Sequence, residues 1–477
     1  MLASLSAVHA AIACALFHGV HFDDAFIVYR YGQNLAGGQG LSFNVGERVW
    51  GATTVSWVFI AAGVHRLVGH DALPAVMACL GSCAWTAQSI LIFLLLREAG
   101  RARVGALAAA ALALGAAGSF CWVGMETHLA FALGLGALYA SFRSRWALGA
   151  VLSAAAILTR PAAVVPALLV AILAWQRLRR GALRYLALGV ALLVPWYAYQ
   201  VAHFGSPLAS SMSAKIGLST FGHYALHLLT IVPAELLAMV TGWSAPLTAL
   251  YAAPVVWPVV GLGAVALVRA DRRLAVLPAW LLAHFAGYLA WRPLTNQTWH
   301  VYPAVAIAVV LLWAGLVEIA RRFRTTNSTA RIALGIVGLA LFGVTLRRTA
   351  SFATTGKNEI FWFGGRHRAY RAAARMISAS SRPGDLVAAG EVGTLAYYTG
   401  IPVLDWNGLV TPGSRDLVDS LARGEPGRVR WVAAWAIEDL VYFSASLNGH
   451  ASWVWRIHGS ERSIYMFALA SPATPPQ

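Results

Sequence analysis

Apolar runs close to the twenty or so residues that cross a bilayer recur along this chain to about residue 346, and they leave little choice of fold. With 59% hydrophobic and 12% charged residues and a mean hydropathy of +0.64, the chain lacks the polar surface of a soluble globule. It reads as a polytopic α-helical membrane protein. The formal net charge of +17 does not point to nucleic acid, because the arginines fall in short clusters between apolar runs rather than on one folded face. Such clusters are topology signals.

Spans are expected at residues 1–20, 73–96, 104–122, 127–142, 146–160, 161–175, 183–203, 248–268, 274–291, 299–319 and 332–346. The first lacks the basic leader of a signal peptide and is taken as a spanning helix. Residues 53–69, short and carrying His65 and Arg66, are expected to lie on the membrane or dip into it. Residues 223–243 are expected to form a non-spanning outer helix. About eleven crossings result, with outer juxtamembrane helices beside them. Every arginine cluster, from Arg97, Arg101 and Arg103 onward, then lies on the cytoplasmic side, and the C-terminal region lies outside.

One polar stretch interrupts this pattern, from His21 to Thr54. Its adjacent carboxylates, Asp23 and Asp24, sit where a membrane helix ends. A charge pair there repels itself and is costly to desolvate, so it calls for basic partners, a metal or a catalytic task; capping of the following helix is the plainer alternative. Ile27, Val28, Tyr31 and Leu35 then recur at helical spacing up to Gly37 and Gly38, which predicts a short helix with its apolar face in the membrane surface and Arg30 and Asn34 facing water.

Further polar residues collect at the predicted outer face. Glu126 and His128, with Asp24, form a candidate set for a divalent cation, although polar residues in a loop need no ligand. Lys215, Arg160, Arg292 and Arg30 are candidates to hold a phosphate; Lys215 is the only lysine before Lys357, but snorkelling would also explain it, and Arg160 could simply end a helix. Trp291, Trp299 and Tyr302 suit sugar stacking or, more commonly, an interfacial belt. Cys14, Cys79, Cys83 and Cys121 all lie in apolar runs and read as small packing residues, with no disulfide expected.

After residue 349 the composition becomes that of a soluble domain. Two domains are therefore expected, a multi-pass module over 1–349 and an α/β domain on the outer face over 350–477. In the second, a helix is predicted at 366–380, a helical turn at 392–398, and strands at 385–389, 401–405, 430–437, 453–457 and 463–468. No internal repeat is visible, which weakens a transporter reading.

The stretch DDAFIVYRYGQNLAGGQGLSFNVGERVWGATT resembles the first outer loop of the GT-C superfamily of polyprenyl-phosphate-sugar glycosyltransferases, and most of all its arabinofuranosyltransferase-like branch. The matching residues are Asp23, Asp24, Tyr29, Arg30, Tyr31, Asn34, Asn44, Gly46, Glu47, Arg48, Val49, Gly51 and Thr53. GMET at 124–127 and DLVAAGEVGTLAYYTGIPVLDWNGLV at 385–410 are similar to further pieces of that branch, whereas WHVYP at 299–303 departs from its Arg-Tyr-x-x-Pro, leaving His300 as the nearest substitute for the arginine. The resemblance implies transfer of a sugar, arabinofuranose in that branch, from a polyprenyl-phosphate donor to an acceptor hydroxyl of a glycan, lipid or protein on the outer face of a bacterial plasma membrane. It implies Asp23 or Asp24 as general base, and Tyr29, Asn34, Glu47, Arg48, His300 and Tyr302 as substrate contacts. A multi-pass transporter or flippase without transferase activity is the alternative.

Overall fold

Wherever the expected apolar runs are described, they are helical. The computed structural model describes residues 2–19, 21–114, 124–215, 220–241, 246–293, 298–323, 361–411, 416, 419, 428–434, 453–458 and 463–468. In chain order the helices are α1 (Leu2–Phe17), α2 (Asp23–Ala36), α3 (Val55–Glu98), α4 (Ala102–Leu114), α5 (Thr127–Phe142), α6 (Trp146–Thr159), α7 (Val164–Leu178) and α8 (Leu183–Phe204). Then come α9 (Ser210–Ala214), α10 (Phe221–Thr241), α11 (Pro246–Ala270), α12 (Val276–Trp291), α13 (Thr298–Phe323), α14 (Phe361–Ser380) and α15 (Gly393–Thr399).

Among the described residues, five helical stretches are long and apolar enough to cross a membrane: Val55–Glu98, Pro161–Phe204, Ala249–Ala270, Arg272–Trp291 and Trp299–Arg322. Two of them, Val55–Glu98 and Pro161–Phe204, have 44 residues each, about twice the length one crossing needs. α5 and α6 are apolar but have only 16 and 14 residues, and the run at 332–346 lies outside the described residues. α3 contains the two expected segments, 53–69 and 73–96, as two helical stretches separated by a non-helical kink at Gly69. There φ is 78°, a conformation glycine reaches without a Cβ penalty.

Contacts divide the chain into two units, with boundaries inside α3 and α8. The first holds residues 1–17, 79–195 and 215–354. Its core is a cluster of buried apolar side chains that includes Leu95, Leu135, Leu173, Trp280, Ile307 and Leu311. α11 and α13 pack backbone to backbone: a Cβ on Gly263 would strike the Leu311 carbonyl, and one on Gly315 that of Val259. Small residues of this kind let membrane helices approach closely.

The second unit gathers His18–Ala78, Trp196–Ala214 and Thr355–Gln477, so the first polar stretch goes with the C-terminal segment. Its strands are β1 (Leu386–Ala389), β2 (Val403–Asp405), β3 (Val429–Ala434), β4 (Trp453–His458) and β5 (Ser463–Ala468), close to the expected positions. They form one mixed sheet in the order β2-β1-β3-β5-β4. β1 pairs in parallel with β2 and β3, while β5 runs antiparallel to both β3 and β4. Trp57, Tyr29, Tyr31, Phe26, Phe43, Tyr397 and Trp431 are fully buried in this unit, each aromatic body of this size contributing on the order of 2 kcal/mol.

β2 is an edge strand, and an unpaired edge is a hazard. Asn44 covers it: its Oδ1 accepts from Val403 N–H at 3.0 Å and its Nδ2 donates to the Val403 carbonyl at 3.1 Å. The side-chain amide thus acts as one more strand residue. Asn44→Ala should strand a buried N–H and a buried C=O and cost about 2–4 kcal/mol. A fall in the thermal unfolding midpoint of the detergent-purified protein would register it.

Candidate functional site

In the second unit, α2 opens with Phe22 at its N-cap in extended conformation and without a side-chain cap, so neither aspartate caps its own helix. Asp23 caps another. Its Oδ2 accepts from Gly393 N–H at 2.9 Å and its Oδ1 from Thr394 N–H at 2.8 Å, at the N-terminus of α15. Residue 393 has to be glycine for that approach, because a Cβ there would strike the Asp23 carbonyl. At the other end of α15, Arg30 donates through NH2 to the Gly400 carbonyl at 3.3 Å. A carboxylate at the positive end of a helix and a guanidinium at its negative end both favour the macrodipole.

Arg30 and Asn34 do not face water, as the amphipathic pattern suggested. Both are buried. Arg30 also donates to the Phe43 carbonyl and to Gln33 Oε1, each at 3.2 Å, and Asn34 Nδ2 donates to the carbonyls of Ser42 and Phe43 at 2.8 and 3.0 Å. Loop carbonyls replace solvent as their partners, and burial lowers the Arg30 pKa to about 10. Tyr31 Oη donates to the Val49 carbonyl at 2.6 Å and accepts from Gly51 N–H at 2.8 Å. Gly51 leaves no room for a side chain against Leu409 and Val410, and Ser210 Oγ donates to the carbonyls of Trp50 and Leu409.

Of the remaining expected contacts in this unit, Tyr29 is buried edge-on against Phe26 and Tyr397. Glu47 accepts from Asn44 at 3.1 Å, and Arg48 is exposed. Asp24 is half-buried in the first turn of α2 and acts electrostatically on Asp405, a carboxylate that the sequence offered no reason to single out. Asp405 is fully buried; its Oδ1 accepts from Asn407 N–H and its Oδ2 from Leu409 and Val410 N–H. Burial outweighs those bonds and, with the charge of Asp24, pushes Asp405 up to about 6. His21 and His367 meet edge to face at 5.0 Å, and burial pushes His21 down to about 4, with His18 and Arg371 adding to the shift.

The first unit carries the other candidates. Arg160 lies between α6 and Pro161 in extended conformation, as a residue before proline should. It is buried and donates at 2.9 Å to both Glu126 Oε1 and Thr127 Oγ1 at the start of α5. Lys215 follows α9 half-buried, and its charge and that of Arg160 both act on His300. The His300 carbonyl accepts from His284 Nε2 at 2.9 Å, and its ring lies beside Tyr288, Trp291 and Trp299. Gln88 Nε2 donates to Tyr302 Oη, while Gln88 Oε1 accepts from His128 Nδ1 at 3.4 Å. Arg292 ends α12 in a left-handed conformation.

Two of the expected cation ligands have protein partners. Glu126 is spent on Arg160 and His128 on Gln88, and among the described residues no three His, Cys, Asp or Glu side chains converge to hold a metal. Gln88, His284 and Tyr288 were missed because each lies in an apolar run with no motif around it, and Asp405 because, within the motif-like stretch 385–410, nothing local marks it as buried.

The C-terminal residues 358–458 match a family described as a domain of unknown function, DUF8728. No curated protein sequence matches this one. Among solved structures, the chain resembles ArnT from Cupriavidus metallidurans bound to undecaprenyl phosphate, with a TM-score of 0.60 and 12% identity over 100% of this chain and 98% of that one. It also resembles the oligosaccharyltransferase AglB from Archaeoglobus fulgidus in complex with an inhibitory peptide and a dolichol-phosphate, with a TM-score of 0.55 and 10% identity over 99% and 75%. The A. fulgidus oligosaccharyltransferase with Zn and sulfate gives 0.56 and 10% over 97% and 73%. At these identities the likeness is one of fold alone.

Two measurements test the electrostatics. Glu126→Gln should leave Arg160 buried without its counter-charge and cost about 3–5 kcal/mol, most of it recovered when Arg160→Gln is added in a double-mutant cycle read by thermal unfolding. Asp405 is a carboxylate with a raised pKa, so its contribution to stability is present at low pH and is lost as the pH rises through about 6. Across that window the wild type should lose roughly 3 kcal/mol relative to Asp405→Asn, measured as the pH dependence of the difference between the two unfolding midpoints.

Proposed function

We propose that this chain is a membrane glycosyltransferase that moves a sugar, arabinofuranose by the resemblance of its first loop, from a polyprenyl-phosphate donor to an acceptor hydroxyl of a cell-envelope glycan, lipid or protein. The observation that carries the reading is the likeness of fold, along the whole chain, to a structure that holds undecaprenyl phosphate. The location that goes with it is the bacterial plasma membrane, with the C-terminal domain on the outer face.

In this reading the two aspartates have different tasks. Both oxygens of Asp23 are engaged by backbone amides, so Asp23 fixes the loop. Asp24 is the general base. It takes the acceptor hydroxyl proton while the oxygen attacks the anomeric carbon and the bond from that carbon to the phosphate oxygen breaks. Asp24 acts electrostatically on Asp405, so a second carboxylate lies within electrostatic reach of the base. The departing lipid phosphate needs cations in a water-poor setting, and Lys215, Arg160 and Arg292 are assigned to it. Arg30 is withdrawn from that group because its donors serve loop carbonyls. Glu126 holds Arg160 in one rotamer, which reduces the ordering cost of binding an anion.

A panel of radiolabelled polyprenyl-phosphate sugars, offered with acceptor to the purified protein, should show turnover of a pentosyl donor. Asp24→Asn should reduce kcat by about 10²–10⁴-fold with little change in unfolding temperature. Asp23→Asn should mainly lower that temperature. Full activity in Asp24→Asn would remove the base assignment, and failure of every donor to bind would overturn the enzyme reading.

A further inference from the structure

The chain has four cysteines in 477 residues, and three of them meet. Cys14 on α1 donates to the Cys79 carbonyl of α3 at 3.5 Å, and the side chains of Cys79, Cys83 and Ser82 are near enough to act on its thiol. Cys79 and Cys83 are one helical turn apart and therefore share a face of α3. Cys14 and Cys79 are half-buried, whereas Cys83 is exposed on a helix that is apolar enough to span a membrane. Cys121 lies outside the described residues. Packing alone does not account for the meeting. Alanine fills comparable positions at Ala78, Ala84 and Ala108.

We propose that this trio is an oxidisable site in which Cys14 forms a disulfide with Cys79 or Cys83, joining α1 covalently to α3. The expectation that these cysteines only pack is thereby replaced. In the step, two S–H bonds break and one S–S bond forms. Two protons and two electrons pass to a lipid-soluble oxidant of the quinone class, which leaves as the hydroquinone. Cys83 gives such an oxidant access from the apolar side. The thiol left over is one turn from the new bond and can displace its neighbour by thiol–disulfide exchange, so Cys14 is the fixed member of the pair and the two α3 thiols alternate.

The test uses the full-length protein in membranes, oxidised with copper(II)–phenanthroline as the lipid-soluble probe, blocked with N-ethylmaleimide and mapped by mass spectrometry without reductant. Oxidation should remove one pair of thiols from the maleimide count and yield a cross-linked peptide that contains Cys14. Cys79→Ala and Cys83→Ala should each keep a cross-link through the remaining thiol; the double variant and Cys14→Ala should each lose it. Elution as a single species in size exclusion checks that every variant is folded, and the double variant decides the matter if Cys14→Ala does not fold. Unchanged maleimide labelling after oxidation, a cross-link that survives in the double variant, or an acyl chain found on Cys83 would overturn the proposal.

Discussion

The second unit depends on the grip of α2 on α15. Asp23 and Arg30 are seven residues apart and so lie on one face of α2, about 10 Å apart along its axis. α15 itself has seven residues, and the two side chains meet its two ends. Charge complements dipole at each end, and a glycine at 393 lets the backbones approach. Asn44 repeats the device on β2, where a side-chain amide satisfies a strand edge. Asp23, Arg30, Tyr31, Asn34 and Asn44, all among the residues that carry the family resemblance in the first loop, are thus spent on backbone groups. Their pattern records how a loop is held.

The first unit solves the opposite problem. Arg160 and Glu126 bury charge in an apolar bundle, and each is tolerated because the other is there. The pair joins the end of α6 to the start of α5, and Tyr288 on α12 is near enough to interact electrostatically with both of its members. Rigid cations are better anion binders than mobile ones, because less side-chain freedom is lost on binding.

Much of the secondary structure could be read from the sequence, because periodicity is local. The strands of the C-terminal segment fall within a residue or two of their expected places for that reason, except at the end of β3. What could not be read was non-local or relative. The outward orientation expected for Arg30 and Asn34 assumed water as their partner, and nothing nearby announces that carbonyls eight to 370 residues away take that place. Asp23 looked like a cap for its own helix, yet the amides it caps are 370 and 371 residues on. Arg160 was legible as a cation, but the identity of its counter-ion was not.

The separation between Asp23 and Gly393 also bears on biosynthesis. A ribosome makes the first loop early and the segment that completes it several hundred residues later, at roughly 5–20 residues per second. For tens of seconds Asp23, Arg30 and Asn34 are present while α15 is not, and Asn44 has no strand to cover. The loop therefore lacks these partners through most of translation, and emergence of residues 393–405, rather than insertion of the first helix, sets the earliest moment at which it can be completed.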